Sequence, residues 1–274
     1  MTFNYIIILL ACGAGVGFLG GLLGVGGAFM MTPVQYLVYI HMGIPTDTAI
    51  KLAFGTNLMV VLSTTLSGTW RHHRLKAVRW RAALTMGSCS LLGALAGATI
   101  AVHLPGAALK SAFGIVVLAG AASMLIARTP RIEKTPENNP WIWAAWALPV
   151  GIITGLIGIG GGIMVIPVMT LALRFRMHNA IATSLAMMIL TSIGGVIGYI
   201  TNGIGTADLP PYSIGYVNLQ SWLLLAVPSI GMVQLGAITA HRIPARQLKY
   251  LFIALMLYVG FKMIGLFDWL GWPL

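Results

Sequence analysis

Apolar residues fall in ten runs along this 274-residue chain, at roughly 4–24, 28–40, 48–69, 82–103 and 107–127, then 141–157, 161–173, 180–201, 218–240 and 247–268. Most are about 18 to 22 residues long, the length an α-helix needs to cross a hydrocarbon core of about 30 Å. A membrane interior offers backbone groups no water, so each run is predicted to be a helix that satisfies its own N–H and C=O groups. Between the fifth and sixth runs lies a polar stretch with Arg128, Pro130, Arg131, Glu133, Lys134, Pro136 and Glu137. It reads as a linker outside the bilayer. The chain therefore divides into a first membrane repeat over 1–127, a cytoplasmic linker over 128–140 and a second membrane repeat over 141–274.

The two parts are related in sequence. Gly21-Leu-Leu-Gly-Val-Gly-Gly-Ala-Phe-Met-Met-Thr-Pro33 aligns with Gly155-Leu-Ile-Gly-Ile-Gly-Gly-Gly-Ile-Met-Val-Ile-Pro167. A weaker match sets Gly97, Pro105, Leu109, Lys110 and Phe113 against Gly236, Pro244, Leu248, Lys249 and Phe252, so the duplication runs through each half.

Composition adds the solvent. Hydrophobic residues make up 58 % and charged residues 8 % of the chain, with a mean hydropathy of +0.91, which excludes a soluble domain. The net charge of +11 does not point to nucleic acid, because the basic residues cluster in short loops where the positive-inside rule puts them. With the loop Trp70 to Arg81 in the cytoplasm, Arg128, Arg131, Lys134, Arg174, Arg176, Arg242, Arg246 and Lys249 also fall inside. Lys51, Lys110 and Lys262 fall towards the outside, and both termini come out external. The loop equivalent to the basic 70–81 is 202–216, which has no Lys or Arg and carries Asp208. An odd number of crossings per repeat inverts one half relative to the other. The expected fold is an all-α integral membrane protein of two inverted-topology repeats of five hydrophobic segments, an architecture that recurs in secondary transporters. No basic residue precedes Lys51, so the first segment is expected to stay in the mature protein rather than act as a signal.

The runs 28–40 and 161–173 are too short to cross the core comfortably. Each follows a glycine-rich turn, Gly24-Val-Gly-Gly27 and Gly158-Ile-Gly-Gly-Gly162, which predicts a broken or re-entrant helix hairpin in each half. Such a turn frees backbone N–H donors that need polar partners, and a helix N-terminus carries partial positive charge, so two of them could bracket a small anion. Gly26, Gly27, Gly160 and Gly161 are the candidate substrate-binding glycines; close helix packing is the competing explanation for any one of them. Lys51-Leu-Ala-Phe-Gly-Thr-Asn57 set against Ala182-Thr-Ser-Leu-Ala-Met-Met188 adds Thr56, Asn57, Thr183 and Ser184 as hydrogen-bond donors to an oxyanion. A Ser or Thr in a membrane helix also commonly bonds its own backbone, whereas the Asn57 amide has no such local solution. Gln35 and Gln234 are similar but less well placed by the repeat. Lys51 either draws anions or snorkels to the interface.

Asp47, Glu133, Glu137, Asp208 and Asp268 all lie in loops or at segment ends, which disfavours cation cargo. No catalytic dyad, metal triad or cofactor motif can be assembled, so no enzyme activity and no cofactor are expected. Cys12 and Cys89 stand alone and read as small buried hydrophobes. The expected partners are a small anionic substrate and the lipid bilayer, with no nucleic acid. Apolar helices such as 107–127 can face lipid or a second copy, so a homodimer stays open.

The residues Gly20-Gly-Leu-Leu-Gly-Val-Gly-Gly27, Thr154-Gly-Leu-Ile-Gly-Ile-Gly-Gly-Gly162, Pro33, Pro167 and the Ala-Ile-Ala-Thr-Ser run at 180–184 give the chain a resemblance to the sulfite exporter TauE/SafE family over nearly its whole length. The resemblance implies a polytopic carrier that moves sulfite, sulfoacetate or related organosulfonates outward across the cytoplasmic membrane. Residues alone reach only a small anion; an anion channel or uniporter, a divalent-metal carrier using the histidines and methionines, and a membrane sensor or scaffold are the alternatives.

Overall fold

The computed structural model describes residues 3–23, 28–74, 76–126, 137–239 and 245–266. They form helices α1 (Phe3–Leu23), α2 (Ala28–His41), α3 (Thr46–Arg74), α4 (Trp80–His103), α5 (Gly106–Ile126), α6 (Pro140–Ile157), α7 (Gly162–Pro167), α8 (Met177–Gly203), α9 (Leu219–Thr239) and α10 (Ala245–Ile264). A π-helical turn, π1 (Val168–Ala172), continues α7, and a two-stranded hairpin, β1 (Ser213–Ile214) with β2 (Val217–Asn218), precedes α9. Among the described residues seven helices are long and apolar enough to cross a membrane: α1, α3, α4, α5, α6, α8 and α9. The protein is an all-α integral membrane protein, and α3 and α8 are its most enclosed helices.

Glycines let the helices approach backbone to backbone and reveal their directions, because lipid tails give helices no hydrophobic reason to associate and close packing must do it. Gly13 and Gly17 of α1 abut Leu225 and Ser229 of α9, so these two helices run parallel. Gly151 and Gly155 of α6 abut Ser90 and Ala94 of α4 in the same way. Gly55, Leu58 and Gly68 of α3 meet Tyr199, Gly195 and Leu185 of α8, an antiparallel pair. α5 and α10 are also antiparallel, with Gly114 beside Gly260 and Ile264, and Gly120 beside Met256.

Each short helix returns the chain towards where its hairpin began. Glu137 N–H donates to Leu173 O at 3.1 Å and Trp143 Nε1 donates to Glu137 O at 3.1 Å, closing the base of α6–α7–π1. Tyr5 Oη donates to His41 O at 3.2 Å, closing the base of α1–α2. Asn139 caps α6 by accepting the Trp141 N–H, with Pro140 at the first helical position where its missing N–H costs nothing. Pro167 sits at the junction where the α-helix gives way to the π turn, as the loss of a backbone donor allows.

One end of the bundle gathers Arg71, Arg74, Arg79, Arg81, Arg174 and Arg176, with exposed Trp70, Trp80 and Trp141 near them in the manner of an interfacial belt. Arg79 lays its guanidinium over the Phe175 ring at 4.9 Å, and Phe175 meets Trp143 edge-on. At the other end Asp47 accepts the Gly106 N–H at 2.8 Å and Lys51 donates to Val102 O at 2.7 Å. The acid thus sits at the positive start of α5 and the cation at the negative end of α4, as the helix dipoles favour. Lys51, 9 % exposed, does not stand free; it clamps the α4–α5 turn. Asp47→Ala is expected to cost about 1 kcal/mol, the usual loss of an N-cap, seen as a lower melting temperature in detergent.

Candidate functional site

The two hairpins meet on α3. Asn57 Nδ2 donates to Gly158 O at 2.6 Å, to Ala28 O at 3.1 Å and to Thr32 Oγ1 at 3.0 Å. Gly158 ends α6 in the turn of the second hairpin, and Ala28 opens α2 in the first. One amide nitrogen, without solvent exposure, therefore ties the start of α2 to the turn after α6 from a point near the middle of α3. The orientation of the amide is fixed by its surroundings, since two carbonyl oxygens can face only the NH2 group.

The turn of the second hairpin lies flat against α3. Gly158, Gly160 and Gly161 have φ values of +65°, +76° and +92°. A side chain on Gly158 would strike the Phe54 backbone, and one on Gly160 would strike Val61. Gly161 begins α7 without a side-chain cap and lies close to Thr154. Ala28, Val61 and Met188 form a small apolar cluster beside the tips, which brings α8 into the same neighbourhood. Two buried polar atoms at this point have no partner among the described residues: Asn57 Oδ1 and Thr154 Oγ1. An orphaned polar atom in a membrane interior is costly, so the pair marks where a polar guest would be welcomed.

The residues singled out in the sequence divide into groups. Gly26 and Gly27 lie outside the described residues. Asn57, Gly160 and Gly161 are at the meeting of the hairpins. Thr56 faces the other way, its Oγ1 accepting the Asn218 N–H at 2.9 Å at the head of α9. Thr183 and Ser184 are remote from Asn57, since antiparallel packing sets Gly68, not Asn57, beside Leu185. Thr183 Oγ1 accepts the Arg79 N–H at 3.1 Å at the head of α4, and Ser184 Oγ donates to Ile181 O within its own helix. The bonds at Thr56 and Thr183 are alike, each receiving the N–H that precedes the other half's fourth helix. They set Asn57 against Ser184 rather than against Met188, a different register from the one the residue pattern suggested.

Sequence reasoning passed over Ala28, Thr32 and Gly158 as partners and Thr154 as an orphan. The only signal for them was their place beside the glycine runs. Asn57 was expected to give its N–H groups to an oxyanion, but both are taken up by the turns, leaving its oxygen as the free atom. Gln234, by contrast with Gln35, is satisfied, accepting from Arg71 and donating to Ser67. Among the described residues no three of His, Cys, Asp and Glu come together as a metal site would require.

Comparison with known proteins follows the same outline. The family model described as sulfite exporter TauE/SafE matches residues 9–263. A probable membrane transporter protein of Methanocaldococcus jannaschii is 32 % identical over 272 residues, covering 96 % of this chain and 98 % of its own length. Another, from Haemophilus influenzae, is 26 % identical, covering 95 % and 98 %. No solved structure matches. Inside a bundle of apolar helices one asparagine thus ties the start of α2 to the turn after α6, and the chain, a membrane transporter by its relatives, belongs to the sulfite exporter TauE/SafE family.

Proposed function

We propose that the protein is a secondary carrier that exports a small sulfur-containing anion, sulfite, sulfoacetate or a related organosulfonate, across the cytoplasmic membrane. The observation that carries this reading is the Asn57 amide joined to both hairpin tips. A carrier must expose one site to each side in turn, and a site built where two hairpins meet can open towards either base. In this reading the two halves are inverted repeats. Supporting it, α1 runs parallel to α9 and α6 to α4, while the self-equivalent pairs α3 with α8 and α5 with α10 run antiparallel, as a twofold axis in the membrane plane requires.

The anion would lie against the turn at Gly160 and Gly161, with Thr154 Oγ1 as a donor and Asn57 holding the turns in position. Gly26 and Gly27, outside the described residues, remain part of the proposed site through their match in sequence with Gly160 and Gly161. Thr183 and Ser184 then act on helix geometry rather than on the substrate. The end rich in arginine faces the cytoplasm, and both termini lie outside.

The test is flux and stabilisation together. Purified protein in proteoliposomes should move sulfite or sulfoacetate, and the same anion should raise the melting temperature in detergent, by about 2.7 kcal/mol of stabilisation at a hundred times its dissociation constant. Taurine, sulfate, acetate, chloride and nickel serve as comparisons. Stabilisation by nickel alone, with no sulfur anion moved, would overturn the reading.

A further inference from the structure

We infer that Gln35, Tyr39, Thr56 and Ser221 form an uncharged oxyanion-binding subsite between α2, α3 and α9, one step from the hairpin tips on the side of the α2 C-terminus, and that it takes the same transported anion. This rests on the carrier reading above.

Four groups point to it. Gln35 is wholly buried, and neither its amide nitrogen nor its amide oxygen has a partner among the described residues. Tyr39 and Ser221 are also wholly buried with unpartnered hydroxyls. The Tyr39 hydroxyl lies close to those of Ser221 and Thr56. Thr56 accepts the Asn218 N–H and keeps its own O–H to give. On α2, Thr32, Gln35 and Tyr39 are spaced by three and four residues, so they share one face, and Thr32 touches Asn57. Gln35 therefore lies on that face between the hairpin tips and the hydroxyl group cluster. Four donors of O–H and N–H type with no charge suit the several oxygens of a small sulfur oxyanion, which they can hold without the tight grip of a buried cation.

The fold does not require polar groups at these places. In the second half the positions equivalent to Thr32, Gln35 and Tyr39, counted from the matched Pro33 and Pro167, are Ile166, Met169 and Leu173. Met169 and Leu173 are buried in a dry cluster with Trp143 and Phe175. The second half thus fills the corresponding places with apolar side chains, and the polar set appears in one half only. Gln234, also within an apolar helix, is tied at both ends of its amide, which shows how this protein treats a glutamine that only holds helices together. A glutamine left unpaired in an apolar interior calls for a guest.

The test uses the full chain with Gln35→Met and, separately, Tyr39→Phe, which deletes one oxygen. Each variant should keep or raise the ligand-free melting temperature, lose most of the sulfite-induced or sulfoacetate-induced shift, and raise the KM for flux at least tenfold in proteoliposomes. If the wild type moves and is stabilised by a sulfur anion while both variants keep its KM and shift, the subsite is overturned and the carrier reading stands. If both variants instead lose ligand-free stability, the groups are structural and the subsite is likewise overturned. If the wild type itself neither moves nor binds a sulfur oxyanion, the carrier reading fails and the subsite with it.

Discussion

Replacing Asn57 with aspartate is expected to abolish transport, and replacing it with alanine to reduce transport at least tenfold, with the melting temperature falling in the same order. In the alanine variant Gly158 O loses the donor that satisfies it, and leaving a buried carbonyl unpaired costs about 1–3 kcal/mol. Ala28 O loses less, because α2 still supplies a helical N–H to it. The aspartate has the same shape but sets an oxygen where the amide had two N–H groups, facing two carbonyl oxygens. If ionised it repels both; if it takes up a proton it can serve only one. Either way the tips part. A tenfold loss of turnover corresponds to about 1.4 kcal/mol, within reach of a single broken tie. Turnover must be scored per folded molecule, because a tie that only stabilises would lower the melting temperature and leave turnover alone. Unchanged turnover in the aspartate variant would remove Asn57 from the transport cycle.

Much of this arrangement was legible in the residues, and the parts that were not have a common cause. The helices follow the apolar runs closely because lipid leaves a buried backbone no alternative to the helix. The predicted hairpins were legible because glycine clusters beside short apolar runs repeat in both halves. What pattern could not supply was direction and partner. Asn57 was identifiable as an amide without a local solution, but its acceptors lie at the start of α2 and in the turn after α6, 29 and 101 residues away. Lys51 was read through its charge, yet its partner is a carbonyl contributed by the far end of α4. Gln35 and Gln234 look alike in sequence, and only packing separates the satisfied one from the orphan. The β1–β2 hairpin over 213–218 left no trace in hydropathy, being two residues per strand.

The largest structural effect is expected at the turn glycines, in a rank order set by what each new methyl group would meet. Gly158→Ala should be the most damaging. Its φ of +65° lies in the left-handed region, which costs an L-residue about 1–2 kcal/mol, and its new Cβ would come within 2.6 Å of the Phe54 Cα. A helix backbone cannot move aside as a side chain can, so the turn would be pushed off α3 and the Asn57 bond to Gly158 O would lengthen. Gly160→Ala carries a similar backbone cost at φ +76°, but it meets the Val61 side chain rather than the α3 backbone, so it should be intermediate. Gly15→Ala and Gly231→Ala are the controls, since both lie inside long helices with open space around the added methyl. There alanine's better helix propensity should leave folding unharmed. Melting curves and flux of the four variants give the order directly. If Gly158→Ala behaved like Gly15→Ala, the turn would not be pressed against α3, and the meeting of the two hairpins at Asn57 would lose its foundation.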